Sequence, residues 1–264
     1  MTHTPLFHPE AFAGKKALIL GVANERSLAW SIAQNLHAGG AELGFTFLGD
    51  SLERRVRPLA ESVRSPLIEA CNVNEDAQID ALFEKVEKTW GGLDILIHSI
   101  AFAQREDLEG RFLKTSREGF RVALDTSAYS LIAVAQRAEP LFEKRGGGSI
   151  ITLSYYGAEK VVPNYNIMGV AKAALEANVR YLAHDMGSKK VRVNAISAGP
   201  VKTLAAAGIR DFRSMLASAE ESTPLRENIT GQDVGALAAF LCGPGGAHIT
   251  GSTLYVDSGA HIMA

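Results

Sequence analysis

The segment KALILGVANERSLAWSIAQNL, Lys16–Leu36, opens with a short apolar run that stops at Gly21 and resumes at Leu28 as an amphipathic stretch. A β-rich run, a glycine and then apolar residues at three- and four-residue spacing read as strand, turn and helix. Ser27 stands where it can cap that helix, offering its hydroxyl and the free backbone N–H groups of the first turn to an anion. A pyrophosphate would sit there, beside Ala23 and Leu28. Glycine spacing alone leaves this open, because Glu25 and Ser27 occupy positions where a GxxxGxG pattern wants glycine. By that criterion an ordinary tight turn fits as well.

The same unit recurs along the chain. Apolar runs at 16–21, 42–48, 66–73, 93–99, 148–154, 191–197 and 252–257 alternate with helical patterns such as Leu28–Ala38, Asp76–Trp90 and Arg121–Glu143. Such alternation predicts parallel strands joined by right-handed crossovers. The strands are almost continuously apolar, as expected when helices cover both faces. The expected fold is therefore α/β, a single-domain, doubly wound, seven-stranded parallel sheet of the Rossmann type over residues 1–264. Its ligand belongs at the carboxyl ends of the strands. Two further strand ends agree: CNV at 71–73 can set Asn72 and Val73 against an adenine, and HSIAFA at 98–103 carries small residues that let a flat ring approach the backbone. Residues 198–222 are weakly patterned and read as a substrate lid.

Composition narrows the partners. With 264 residues, 47% of them hydrophobic, the chain can bury a substantial core. A formal charge of −2 and dispersed basic residues favour neither nucleic acid nor an anionic membrane surface. Cys71 and Cys242 lie in apolar settings without a CxxC or histidine cluster, which speaks against a disulfide framework and fits a reducing cytoplasm. No apolar run is long enough to span a bilayer. The seven histidines show no metal-ligand spacing, so no metal is expected, and His98 reads as a packing or hydrogen-bonding residue.

The stretch PNYNIMGVAKAALEANV, Pro163–Val179, sets Tyr165 and Lys172 seven positions apart at a helix start. On an ideal helix they differ by only about 20° in direction but by roughly 10 Å along the axis. They share a face and can grip different parts of one elongated ligand. Taken alone, Tyr165 is more often a half-buried packing tyrosine; Lys172, within the apolar run VAKAAL, is in poor company for a solvated charge.

Together, GVANERSLAW, HSIAFA, SYYGAEKVVPNYNIMGVAKAALEANVRYLA and VRVNAISAGPVKTLAA resemble the short-chain dehydrogenases and, within them, the bacterial enoyl-[acyl-carrier-protein] reductases of type II fatty-acid synthesis. Most short-chain dehydrogenases carry Tyr-xxx-Lys, but here Met168 stands four before Lys172, and the usual serine position holds Tyr155. The order Gly199-Pro200 is likewise the reverse of the common one. The resemblance implies reduction of the trans-2 double bond of an enoyl thioester on acyl carrier protein, by hydride transfer from a nicotinamide cofactor. In such a substrate the hydride lands on the β-carbon while charge develops on the distant thioester oxygen. Tyr165 would then stabilise the enolate, Lys172 would orient the ribose and add a positive field, and Tyr155 would be an active-site tyrosine.

The same resemblance implies cofactor contacts from Gly21, Ala23, Ser27, Leu28, Leu48, Asn72, Val73, Ser99, Ile100, Ala101, Lys172, Gly199, Pro200, Val201 and Thr203. It lines the acyl slot with Ala103, Tyr155, Met168, Ile209, Phe212 and Met215, the last three from the lid, where their three-residue spacing suits one helix face. Leu48, Gly49 and Asp50 at the second strand end favour NADH, with NADPH left open by Arg54 and Arg55. A homotetramer is implied, helped by the long helix around Asp125–Glu143. Two alternatives compete: a ketone or alcohol reductase, which would carry Tyr-xxx-Lys, and a nicotinamide-binding sensor without turnover, which would show damage at the tyrosine or lysine.

Overall fold

The computed structural model describes residues 10–203, 216 and 221–263. Seven strands form one sheet in the order β3-β2-β1-β4-β5-β6-β7. They are β1 Lys16–Leu20, β2 Glu42–Phe47, β3 Leu67–Ala70, β4 Ile95–His98, β5 Gly148–Ser154, β6 Val191–Ala198 and β7 Thr253–Val256. Every neighbouring pair is parallel. The doubly wound sheet expected from the sequence is thus the observed one. Strand order reverses between β1 and β4, and the carboxyl ends of those two strands flank the crevice where such sheets bind ligands.

Successive strand residues feed opposite faces. Leu18, Leu20, Leu96, Ile150 and Val193 meet α3 (Asp76–Trp90), α6 (Ser130–Glu143) and α7 (Asn166–Gly187) through Ile79, Leu82, Leu131, Val134, Leu175 and Val179. Ala17, Ile19, Ile97, Ile151 and Ile196 meet α1 (Leu28–Ala38), α2 (Gly49–Ser62) and α8 (Gly231–Cys242) on the other side. This two-sided burial explains why apolar residues from successive strand positions enter the core on both faces. At the amino-terminal edge the buried Asp94 carboxylate accepts from Lys15 Nζ (2.9 Å), the Lys16 N–H (2.9 Å) and Arg145 Nε (3.0 Å).

Two expected elements differ. The third strand ends at Ala70 rather than Val73, because the Asn72 N–H turns out of the ladder to Gln78 Oε1 (2.9 Å). The single helix expected over Arg121–Glu143 is α5 (Arg117–Leu124) and α6 separated by a π-helical turn, Asp125–Tyr129. The turn carries inward polar side chains. Ser127 Oγ accepts from the Phe102 N–H (2.8 Å) and donates to the Phe102 carbonyl (3.0 Å), while Asn178 Nδ2 donates to the Ala128 carbonyl (3.0 Å). The short helix α4 (Arg105–Leu108) lies between β4 and α5. Of the expected lid, Ile209, Phe212 and Met215 lie outside the described residues.

Candidate active site

The turn after β1 is held tightly against the end of β4. Gly21 has φ +97°, and a Cβ there would lie 1.9 Å from the Ser99 carbonyl oxygen. Only glycine permits that approach. Ser27 occupies the N-cap of α1, but its hydroxyl does not cap the helix. It accepts from the Ala23 N–H (2.9 Å) and the Asn24 N–H (3.1 Å), so its lone pairs shape the loop rather than cap α1. Both bonds use the oxygen as acceptor, which leaves the Ser27 O–H, with the N–H groups of the first turn of α1, to donate to an anion.

Apart from Leu28, at the start of α1, and Lys172, on α7, the other expected cofactor residues lie beyond the carboxyl ends of strands. Leu48, 57% exposed, is the N-cap of α2. Asn72 accepts through Oδ1 from the Asn74 N–H (3.1 Å), and Val73 is buried. Ser99, Ile100 and Ala101 form the partly open floor after β4, and Gly199, Pro200, Val201 and Thr203 follow β6. A Cβ on Gly199 would stand 3.1 Å from Asp257 Cα, so this segment too runs close against its neighbour. A continuous rim of backbone and small side chains across the β1/β4 crevice fits an extended dinucleotide.

Tyr165, Met168 and Ala171 form a small buried cluster against Ala103, Leu108, Leu124, Tyr155 and Val162. Three of the expected acyl-slot residues, Ala103, Tyr155 and Met168, are therefore brought together. Leu108, Leu124 and Val162 join them unannounced by any motif. The rings of Tyr155 and Tyr165 stand edge to face, with centroids 4.9 Å apart and planes at 71°. Such pairs add about 0.5–1.5 kcal/mol beyond area burial.

Tyr165 ends the loop into α7 as its N-cap, so the helix begins one residue later than the tyrosine. Asn164 (φ +61°) and Asn166 (φ +37°) flank it in the left-handed region, which asparagine tolerates better than most residues. Asn166 Nδ2 donates to the Leu108 (3.1 Å) and Gly110 (3.2 Å) carbonyls, tying the helix start to the loop after α4. A Cβ on Gly157 would lie 2.5 Å from Tyr165 Cδ1, so the ring rests directly on glycine backbone.

Burial pushes both phenols above their ordinary range, and Tyr155 adds to the effect on Tyr165. They are neutral donors throughout the physiological range. Neither hydroxyl has a hydrogen-bond partner among the described residues. The adjacent Tyr156 differs: its hydroxyl donates to the His261 carbonyl (2.9 Å), and its ring meets Tyr255 edge on. Tyr156 anchors the loop and Tyr155 faces the apolar cluster.

One helical face on, Lys172 is buried, and its Nζ donates to the Leu153 carbonyl at 2.6 Å. Burial pulls the ammonium down to about 8, opposed by the Glu176 carboxylate one turn further along. His98 sits below, between Thr152 Oγ1 (3.0 Å) and Ser130 Oγ (2.8 Å). Burial and the charge of Lys172 push its imidazole down to about 3, so it is neutral. A separate cleft of about 660 Å³ at the opposite edge of the sheet is lined by Lys15, Lys190 and Arg192. Lys15 and Arg192 are already engaged there, with Asp94 and with α8 carbonyls.

Residues 21–261 match the family model described as Enoyl-(Acyl carrier protein) reductase. The chain belongs to this reductase family. The enoyl-[acyl-carrier-protein] reductase [NADH] FabI of Aquifex aeolicus (strain VF5) is 52% identical over 250 residues, covering 95% of this chain and 92% of that protein. The Nostoc sp. (strain PCC 7120) protein of the same name is 52% identical over 253 residues, with 95% and 97% covered. Among solved structures, the Anaplasma phagocytophilum reductase in complex with NAD superposes with TM-score 0.93 at 47% identity, covering 97% of both chains. The Bacillus cereus enoyl-acyl carrier protein reductase with NADP⁺ and indole naphthyridinone gives 0.94 at 48% identity, covering 97% of this chain and 99% of that one. The chain is thus an oxidoreductase, as its resemblance to the enoyl reductases implied. Among the described residues no helix is long and apolar enough to cross a membrane.

Proposed function

We propose that this chain reduces the trans-2 double bond of enoyl thioesters carried on acyl carrier protein, with NADH as the preferred cofactor. The observation that carries the reading is Tyr165: a neutral phenol without a hydrogen-bond partner among the described residues, in an apolar cluster on the same helical face as Lys172. The bound cofactor supplies hydride to the β-carbon. Tyr165 donates a hydrogen bond to the thioester oxygen as the enolate forms. Tyr155 holds the Tyr165 ring edge on and fills the slot beside Ala103 and Met168. Lys172, released from the Leu153 carbonyl, takes the ribose hydroxyls and places a positive charge near the developing anion. The apolar walls from Leu108, Leu124 and Val162 exclude water from that oxygen.

The glycine turn at Gly21 and the rim at Ala23, Ser27, Leu28, Leu48, Asn72, Val73, Ser99–Ala101 and Gly199–Thr203 hold the cofactor in this reading. NADH is favoured by the names of the curated relatives and by Asp50 in the first turn of α2. A homotetramer is supported by exposed aromatic residues on adjoining elements, Phe120 on α5, Tyr129 on the π turn and Tyr181 on α7. Two free cysteines are consistent with a cytoplasmic location.

The test follows nicotinamide absorbance with a trans-2-enoyl thioester, using NADH and NADPH in parallel and a β-ketoacyl thioester as control. Oxidation with the enoyl substrate alone, faster with NADH, is the expected result. Oxidation with the ketoacyl substrate alone would make the chain a carbonyl reductase and remove the role given to Tyr165.

A further inference from the structure

Glu176 is a carboxylate that the proposed reaction does not use, yet it is buried, 9% exposed, one turn beyond Lys172 on α7. Its side chain turns toward the sheet, where Ser154 Oγ donates to Glu176 Oε1. Ser154 is the last residue of β5 and follows Leu153, whose carbonyl receives Lys172 Nζ. Two consecutive residues of one strand therefore hold the lysine and the carboxylate from α7. No direct ion pair joins Lys172 to Glu176 among the described residues, so any influence runs through the field across a buried, low-dielectric gap.

We propose that Glu176, fixed by Ser154, is a positioning residue for Lys172: its negative charge keeps the buried ammonium protonated and placed for the ribose. The inference rests on the reading of Lys172 as the ribose ligand. Burying an ammonium favours its neutral form, and a fixed carboxylate nearby opposes that. Burial lowers the Lys172 ammonium and the Glu176 carboxylate raises it.

The surroundings leave Glu176 as the main charge acting in this sense. His98 on β4 is neutral, and Tyr155 and Tyr165 remain protonated. Burial raises the Glu176 carboxyl above its ordinary range, and the Ser154 hydrogen bond opposes that; Glu159, on the loop after Tyr155, raises it further, while Arg180, one turn beyond on α7, and Lys172 lower it. Glu159 is itself engaged by the Tyr255 hydroxyl. A clamp that merely pinned α7 to β5 would not require a charge, since a serine hydroxyl also donates to an amide oxygen.

The experiment measures kcat/KM for NADH from pH 6 to 10, which reports ionisations of the free enzyme. Native protein is expected to show an alkaline limb near 8. Glu176→Gln keeps an acceptor for Ser154 but removes the charge, and its limb should move down by about half a unit or more. Glu176→Asp keeps the charge with shorter reach, and its limb should fall between the two; it also serves if the glutamine variant folds poorly. Limbs of both variants coinciding with the native one would overturn the proposal, as would lowered thermal stability with an unmoved limb. Lys172→Met separates the two levels. If it matches native protein, the reading of Lys172 fails; if it is impaired while the Glu176 variants keep the native limb, only the present inference fails.

Discussion

The rings of Tyr155 and Tyr165 meet edge to face at 4.9 Å, while their hydroxyls carry no hydrogen bond among the described residues. Packing and donation are thus separable in this pair. Tyr165→Phe keeps the ring contact and removes the donor, and kcat should fall by about 10²–10³-fold with KM for NADH little changed. Tyr155→Phe keeps the edge contact and should cost less than about tenfold, whereas Tyr155→Ala frees the Tyr165 ring and should cost more. Steady-state rates with an enoyl thioester decide between these roles; a Tyr165→Phe enzyme as fast as native would remove the donor assignment.

Gly157 sets the seat of the same ring. A methyl group there would come within 2.5 Å of Tyr165 Cδ1. Gly157→Ala must displace the ring or the loop, because the neighbouring Gly169 is already packed against the Gly157 carbonyl, where its own Cβ would reach 2.7 Å. Activity should drop by about tenfold or more with cofactor affinity preserved, since misplacement of about 1 Å is enough for such losses. Fluorescence titration with NADH beside turnover measurements gives the split.

Gly21 produces the opposite split. At φ +97°, with the Ser99 oxygen 1.9 Å from where a Cβ would be, Gly21→Ala forces β1 and β4 apart at the crevice. Cofactor binding should weaken strongly and the melting temperature should fall by several degrees, a loss on the order of 1–3 kcal/mol. Unchanged NADH affinity in this variant would place the cofactor elsewhere.

His98 makes stability depend on acid. Its folded value is lowered to about 3, chiefly by burial, against about 6.5 in the unfolded chain. The unfolded state therefore binds a proton that the folded state refuses between those values, and stability falls as pH drops below about 6.5. At pH 5 this residue should have cost about 2 kcal/mol. Urea midpoints at pH 7 and pH 5 measure the change. His98→Gln, which retains hydrogen-bonding capacity toward Thr152 and Ser130 but cannot titrate, should shrink the difference by that amount.

Much of the fold was legible because its signals are local. Burial on both faces leaves the strands rich in apolar residues, and α1 and α3 have the bounds that their periodicity indicates. The site was legible in part: Tyr155, Tyr165, Met168 and Ala103 do converge. Ser27 shows the limit, since position identifies an N-cap but not whether the hydroxyl turns toward the helix or back into the loop. Leu108, Leu124 and Val162 carry no motif, because a wall needs only bulk and can come from any distance along the chain. Asn164 and Asn166 could have been noticed, as paired asparagines around a functional residue hint at left-handed backbone. Glu176 could not have been linked to Ser154 without the sheet between them.

The π-helical turn at Asp125–Tyr129 makes residue count as informative as residue identity. It holds one residue more than a regular helix would need, and that surplus is what exposes the Ala128 carbonyl to Asn178 and brings Ser127 to Phe102. Excising a single residue here would let the ladder close into an uninterrupted helix. The wider turn takes up the surplus residue, so the flanking helices would keep nearly the same angular register while the contacts it enables would go. The loop carrying Phe102 would lose its tether to Ser127, and Asn178 would lose the Ala128 carbonyl. A change that makes the local geometry more ideal would dismantle the floor of the pocket, so this segment should accept substitutions far more readily than deletions.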